Sequence, residues 1–123
     1  MATSSADNQK RYLLNLREER ESTALYRGLA EIEKDSRLAE IYRRMADVES
    51  RHAATWADML SASGQTPPPD TTGTRVRVLL WMAKRFGAGA VLPIIASSER
   101  GASQSYDAQP EARAAGMPAD ERS

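Results

Sequence analysis

The chain has no cysteine, one histidine and one phenylalanine among its 123 residues. The lack of cysteine excludes disulfide bonds, cysteine-ligated zinc sites and a thiol nucleophile. Aromatic residues make up only 6% of the chain, and this scarcity beside many Ala, Leu, Glu and Arg residues favours helix over sheet. Lys plus Arg number 17, and so do Asp plus Glu, so the basic excess typical of nucleic-acid-binding proteins is missing. We expect no nucleic-acid partner.

Long apolar runs are also missing from the sequence. A membrane helix needs about 18 consecutive apolar residues, and the longest apolar stretch, near Val91, is short and contains Pro93. The first nine residues are small and polar, which is unlike a secretory signal peptide. The length fits one small domain, which a second copy would help to stabilise. We therefore predict a soluble, cytoplasmic protein.

The remaining pattern predicts helices separated by a proline-rich linker. Ser36 is the predicted N-cap of the second helix, and Gly64 is the predicted end of that helix. Three consecutive prolines at positions 67–69 cannot continue a helix. The predicted segments are a disordered start at 1–8, a helical domain at 9–123 with helices at 9–34, 37–62, 75–86 and 91–108, and a linker at 65–74.

One carboxylate lies on the apolar side of the first predicted helix. Steps of three and four residues place Glu19 on the same face as Tyr12, Leu16, Thr23 and Tyr26. A lone glutamate on such a face is most often an edge residue whose carboxylate reaches water. A buried carboxylate, however, is costly unless it is paired or binds a metal ion. Glu19 is therefore a candidate metal ligand.

The second predicted helix places a glutamate and the only histidine on one face. The face of this helix that is predicted to pack against its neighbour, called its seam, contains Leu38, Tyr42, Met45, Glu49, His52, Trp56 and Met59. Glu49 and His52 form a Glu-x-x-His pair, although a surface pair at this spacing is the ordinary alternative. A short turn between antiparallel helices would bring Glu19 towards both residues. Two carboxylates and one imidazole suit iron or manganese.

A partial repeat of this pattern occurs later in the chain. Tyr26 follows Glu19 by seven residues, and Tyr106 follows Glu99 by the same interval. Glu121 then supplies the glutamate of a second Glu-x-x-His motif, whose histidine position lies beyond Ser123. We expect the natural protein to continue past this point.

The segment from Glu19 to His52, ending in EIYRRMADVESRH, resembles the rubrerythrin and ferritin-like superfamily. The later VLLWMAKRFGAGAVLPIIASSERGASQSY and PADERS resemble more specifically the N-terminal ferritin-like domain fused to membrane transporters of the vacuolar iron transporter family. The resemblance covers about residues 10–123. It implies an all-α, antiparallel four-helix bundle with a di-iron site, built from one Glu on each of two helices and Glu-x-x-His on each of the other two.

The resemblance also implies roles for individual residues. Glu19, Glu49 and His52 would be catalytic metal ligands, and Glu99 and Glu121 would be further metal ligands. The implied cofactor is a di-iron centre cycling between Fe2+ and Fe3+, with manganese or zinc as substitutes, and the implied reaction is oxidation of Fe(II) by oxygen or peroxide. The prolines and glycine between Glu99 and Glu121 depart from the family pattern, so two copies of the first hairpin are an alternative source of a complete site.

Three other readings belong to different functional classes. The domain would sense or deliver iron for an associated membrane transporter without turnover, and would then lie on the cytoplasmic face of a membrane. It would act as a metal-free helical interaction module if the Glu-x-x-His pair were only a surface pair. A rubrerythrin-type peroxidase would need an external electron donor, because the chain has no cysteine cluster.

Overall fold

The computed structural model describes residues 5–97, and these residues form helices. They are α1 (Ser5–Ile32), α2 (Ser36–Ala62), α3 (Thr74–Phe86) and a single 3-10 turn at Ala88–Ala90. No strand occurs within residues 5–97, so the all-α prediction is confirmed for this range. None of the helices there is both long enough and apolar enough to span a membrane.

The first helix begins earlier than the sequence indicated. It includes residues 5–8, which belong to the segment predicted to be disordered. Residue Gln9 explains part of this difference, because its side-chain amide donates a hydrogen bond of 2.7 Å to the carbonyl of Ser63. This bond ties the beginning of α1 to the end of α2. The two long helices pack against each other in antiparallel orientation.

The turn between α1 and α2 is capped by Asp35 and not by the predicted Ser36. The Asp35 carboxylate accepts hydrogen bonds from the backbone N–H groups of Arg37 at 2.9 Å and Leu38 at 3.3 Å. The backbone of Asp35 is extended, which is the conformation of an N-cap residue. Asp and Ser are both common N-cap residues, so the sequence alone does not distinguish Asp35 from Ser36 as the cap.

The second helix ends as its glycine predicts. Gly64 has a φ of 96°, a left-handed conformation that a residue without a Cβ adopts at little cost. The N–H of Gln65 donates to the carbonyl of Leu60 at 3.2 Å, which closes the C-terminal turn. The proline-containing linker follows, and Arg20 of α1 donates a 2.7 Å hydrogen bond to the carbonyl of Pro68.

The buried face of α2 is close to the predicted seam but is shifted towards smaller residues. Tyr42, Glu49, His52 and Trp56 are buried as predicted, whereas Leu38 is 42% exposed. The other buried positions are Ala39, Ala46 and Leu60. The seam was drawn through the larger residues Leu38, Met45 and Met59, but close packing of two helices favours alanine at the contact. On α1, Leu16, Thr23, Tyr26 and Ala30 are buried.

Contacts divide the chain into two compact units, Met1–Trp81 and Met82–Ser123. In the first unit, Val76 and Leu79 of α3 are buried. Leu80 of the same helix packs closely against Gly28 of α1, because a Cβ added to Gly28 would lie 2.5 Å from Cδ2 of Leu80. In the second unit, Ala83, Val91 and Ile95 are buried. The predicted fourth helix is described only as far as residue 97, so the four-helix bundle stays a prediction.

Candidate metal centre

Three ionisable side chains meet in the interior of the α1–α2 hairpin. Glu19 comes from α1, while Glu49 and His52 come from consecutive turns of the buried face of α2. Their exposed fractions are 3%, 5% and 4%, respectively. Each offers one donor atom, and the three donor atoms lie within 4.8 Å of one another. The structure thus brings together the three residues that helical periodicity placed on facing seams.

The distances within this cluster fit donors that share one ion. The Nδ1 atom of His52 is 3.5 Å from Oε2 of Glu19 and 3.8 Å from Oε2 of Glu49. Both distances are longer than an N–H···O hydrogen bond of about 2.7–3.2 Å. Two ligands that each lie about 2.1 Å from a metal such as zinc are separated by at most about 4.2 Å. The measured distances lie within this limit.

Charge balance also favours a cation at this position. Glu19 and Glu49 bring two buried carboxylates to the cluster, and a buried carboxylate is expensive unless it is paired or binds a metal ion. A divalent cation would balance this negative charge, and all three side chains could coordinate it. Carboxylate oxygens with an imidazole nitrogen are ligands used by iron, manganese and zinc. The residues therefore fit a divalent transition-metal ion, whose identity the geometry leaves open.

Two stacked aromatic pairs lie along the hairpin on either side of this cluster. Tyr26 stacks on Tyr42 with ring centroids 6.5 Å apart, and Tyr12 stacks on Trp56 with centroids 6.0 Å apart. Tyr42 precedes Glu49 by two helical turns, and Trp56 follows His52 by one turn. The cluster thus lies between two aromatic pairs along the hairpin, and its buried position strengthens electrostatic interactions inside it.

Two further polar residues are buried one turn from Glu19, and the sequence pattern did not predict a polar role for either. Asn15 is 4% exposed, and Thr23 is 7% exposed and donates from its hydroxyl to the carbonyl of Glu19 at 2.8 Å. Thr23 was assigned to the seam without a polar role. Asn15 was not singled out, although its position four residues before Glu19 was a usable signal.

Glu99 and Glu121, the other predicted ligands, lie outside the described residues, as does Tyr106. Nothing in residues 5–97 tests their assignment. Comparisons with known proteins do not extend the assignment, since the chain matches no protein-family model, no curated protein and no solved structure.

Proposed function

We propose that the chain is a ferritin-like iron-binding protein that oxidises Fe(II) at a centre held by Glu19, Glu49 and His52. The observation that carries the proposal is the convergence of two carboxylates and the only histidine at a buried position between two antiparallel helices. A cation held by all three side chains would stabilise the buried carboxylates. Two carboxylates and one imidazole suit iron or manganese, and the family resemblance favours iron.

Each side chain has a separate task in this proposal. The Glu19 and Glu49 carboxylates hold Fe(II) and stabilise the additional positive charge that develops on oxidation. The His52 imidazole binds as a neutral nitrogen donor, and the i, i+3 spacing fixes its position relative to Glu49. In this reaction Fe(II) would be the substrate, and each ion would give one electron to oxygen or peroxide. The buried surroundings keep competing water away from the carboxylates.

A second copy of the chain is part of the proposal. Three side chains fill only part of the coordination sphere of iron, which typically accepts about six ligands in an octahedral site. A second hairpin, related by two-fold symmetry, would supply an equivalent set and allow two irons to share carboxylates. Glu99 and Glu121 are the alternative source of the remaining ligands. An associated membrane transporter is proposed as the partner from the family resemblance alone.

An anaerobic Fe(II) titration followed by admission of air tests the proposal. Wild type is expected to bind about one Fe(II) per chain and then to consume oxygen as absorbance from Fe(III) rises. Glu19→Gln and His52→Ala are expected to lose both properties, with a fall in metal affinity of at least tenfold per ligand removed. Circular dichroism of each variant checks that the helices are retained.

Glu18→Gln is the matched control for Glu19→Gln. It removes the same charge one residue away, at an exposed position, and should leave binding and oxygen uptake unchanged. Binding without oxygen uptake would replace the ferroxidase proposal with iron sensing or delivery. Absence of binding in wild type would contradict both and would favour a metal-free helical module.

A further inference from the structure

A polar cavity lies on the α1–α2 hairpin, and Glu19, Glu49 and His52 are not among the residues that line it. Its volume is about 130 Å³, which exceeds what a single water molecule needs. Its polar lining consists of Arg20, Thr23, Arg27, Ser50 and Asp70. Most of the remaining lining is alanine from α2, and these small side chains leave the space between the helices open.

Two guanidinium groups border this cavity from the same face of α1. Arg20 and Arg27 are seven residues apart, which separates them by about 10 Å along the helix but by only about 20° around it. Thr23 lies between them on this face. Arginine side chains are long enough to converge on a point midway between two such positions. The cavity is thus lined by two arginines from α1 and by a hydroxyl-bearing residue from each helix.

The two arginines have unused hydrogen-bonding capacity. Arg20 donates to the carbonyl of Pro68 at 2.7 Å, which holds its guanidinium beside the linker, and a guanidinium has several further N–H donors. The Arg27 side chain forms no ion pair or hydrogen bond with the residues that the structure describes. Asp70 supplies one negative charge, so the lining has a net charge of +1, from two arginines and one aspartate.

A neighbouring cavity has a different charge balance. It has a volume of about 330 Å³, and its charged residues are Arg27, Arg43, Glu31 and Asp47. Two cations and two anions leave no net charge there. Of these two cavities, the smaller one therefore carries the surplus of positive charge, and its volume is sufficient for a small inorganic anion.

We propose that the cavity between Arg20 and Arg27 binds one tetrahedral oxyanion, inorganic phosphate. Planar guanidinium groups bind phosphate oxygens through paired, charge-assisted hydrogen bonds, and the Ser50 hydroxyl provides a further donor. This site does not depend on the metal proposal, because none of its lining residues is a proposed metal ligand.

Isothermal titration calorimetry with inorganic phosphate tests the site on the full chain, after treatment with a chelator, in a phosphate-free buffer of low ionic strength. Wild type is expected to bind one phosphate per chain in a saturable manner. Arg27→Gln should weaken binding about tenfold or more, because a charge-assisted hydrogen bond is lost. Arg20→Gln should do the same, but it also breaks the bond to Pro68, so Arg27→Gln is the cleaner variant.

Arg17→Gln is the matched control, since it removes the same charge from an exposed position on the same helix, outside the cavity. It should change the dissociation constant by less than threefold, roughly the effect of a screened surface charge. Equal weakening by Arg17→Gln and Arg27→Gln would show diffuse attraction and overturn the proposal. Absence of saturable binding in wild type would also overturn it. The metal-site variant His52→Ala should bind phosphate like wild type, which separates the two proposals.

Discussion

Tyr42 links the packing of single side chains to the pH dependence of stability. Burial, reinforced by the negative charge of Glu33, raises the pKa of Tyr42 above its ordinary value of 10.0. The folded state therefore favours the neutral phenol. The resulting contribution to stability is complete below about pH 10, where both states are neutral. It is lost as the pH rises through the pKa of the folded state.

We expect the free energy of unfolding of wild type to fall more steeply between pH 9 and pH 11 than that of Tyr42→Phe. Phenylalanine retains the ring that stacks on Tyr26 but cannot ionise. Urea unfolding at several pH values measures the difference, and other groups that titrate in this range cancel between the two proteins. Glu33→Gln should reduce the slope in part. Equal slopes for wild type and Tyr42→Phe would contradict the role assigned to Tyr42.

At the same scale, the meeting of Glu19, Glu49 and His52 could be predicted from periodicity because two helices joined by a short turn leave few ways to pair their seams. The polar surroundings could not be predicted. The burial of Asn15 depends on how α1 is rotated about its own axis relative to α2. A rotation by a few tens of degrees would expose this side chain. The roles of Glu19, Glu49 and His52 as metal ligands remain predictions.

Among the helices, the start of α2 gives the sharpest test. Asp35→Ala removes the carboxylate that accepts from the N–H groups of Arg37 and Leu38, and it should lower the free energy of unfolding by about 1 kcal/mol. Ser36→Ala, one residue later and also exposed, should change it by less than about 0.5 kcal/mol. Urea unfolding of both variants decides between the two caps. A larger loss from Ser36→Ala would contradict the assignment of the cap to Asp35.

Helix ends differ in how well local sequence predicts them. Gly64 ends α2 as predicted, since few other residues adopt a φ of 96° readily. The start of α1 at Ser5 was missed because a contact 54 residues away, between Gln9 and Ser63, supports the first turns. Such support depends on tertiary structure, and nothing within the first eight residues encodes it.

For the molecule as a whole, a bound metal ion should couple the site to global stability. A ligand that binds only the folded state stabilises it by about 2.7 kcal/mol at a concentration one hundred times its dissociation constant. Mn(II), which resists oxidation by air, should therefore raise the free energy of unfolding of wild type, and a chelator should reverse the effect. His52→Ala should gain little, measured by urea unfolding with and without Mn(II). An equal gain in both proteins would place the ion elsewhere.

The division of the chain into compact units was harder to predict from the sequence than the α1–α2 hairpin. The proline-rich linker was predicted, but the division into the units Met1–Trp81 and Met82–Ser123 was not. The boundary falls within α3, between Trp81 and Met82, where no glycine or proline marks it. Contact density, and not local composition, produces this division.

The bond between Gln9 and Ser63 limits how the hairpin can change length during evolution. One residue inserted between Gln9 and Glu19 would turn the carboxylate by about 100° and remove it from Glu49 and His52. Seven residues added to each helix, at matched positions, would restore the alignment to within about 20°. Length changes in this hairpin should therefore occur in paired sets of seven, whereas the proline-rich linker tolerates single insertions. A family of such proteins would be recognised by constant helix lengths between variable connecting segments.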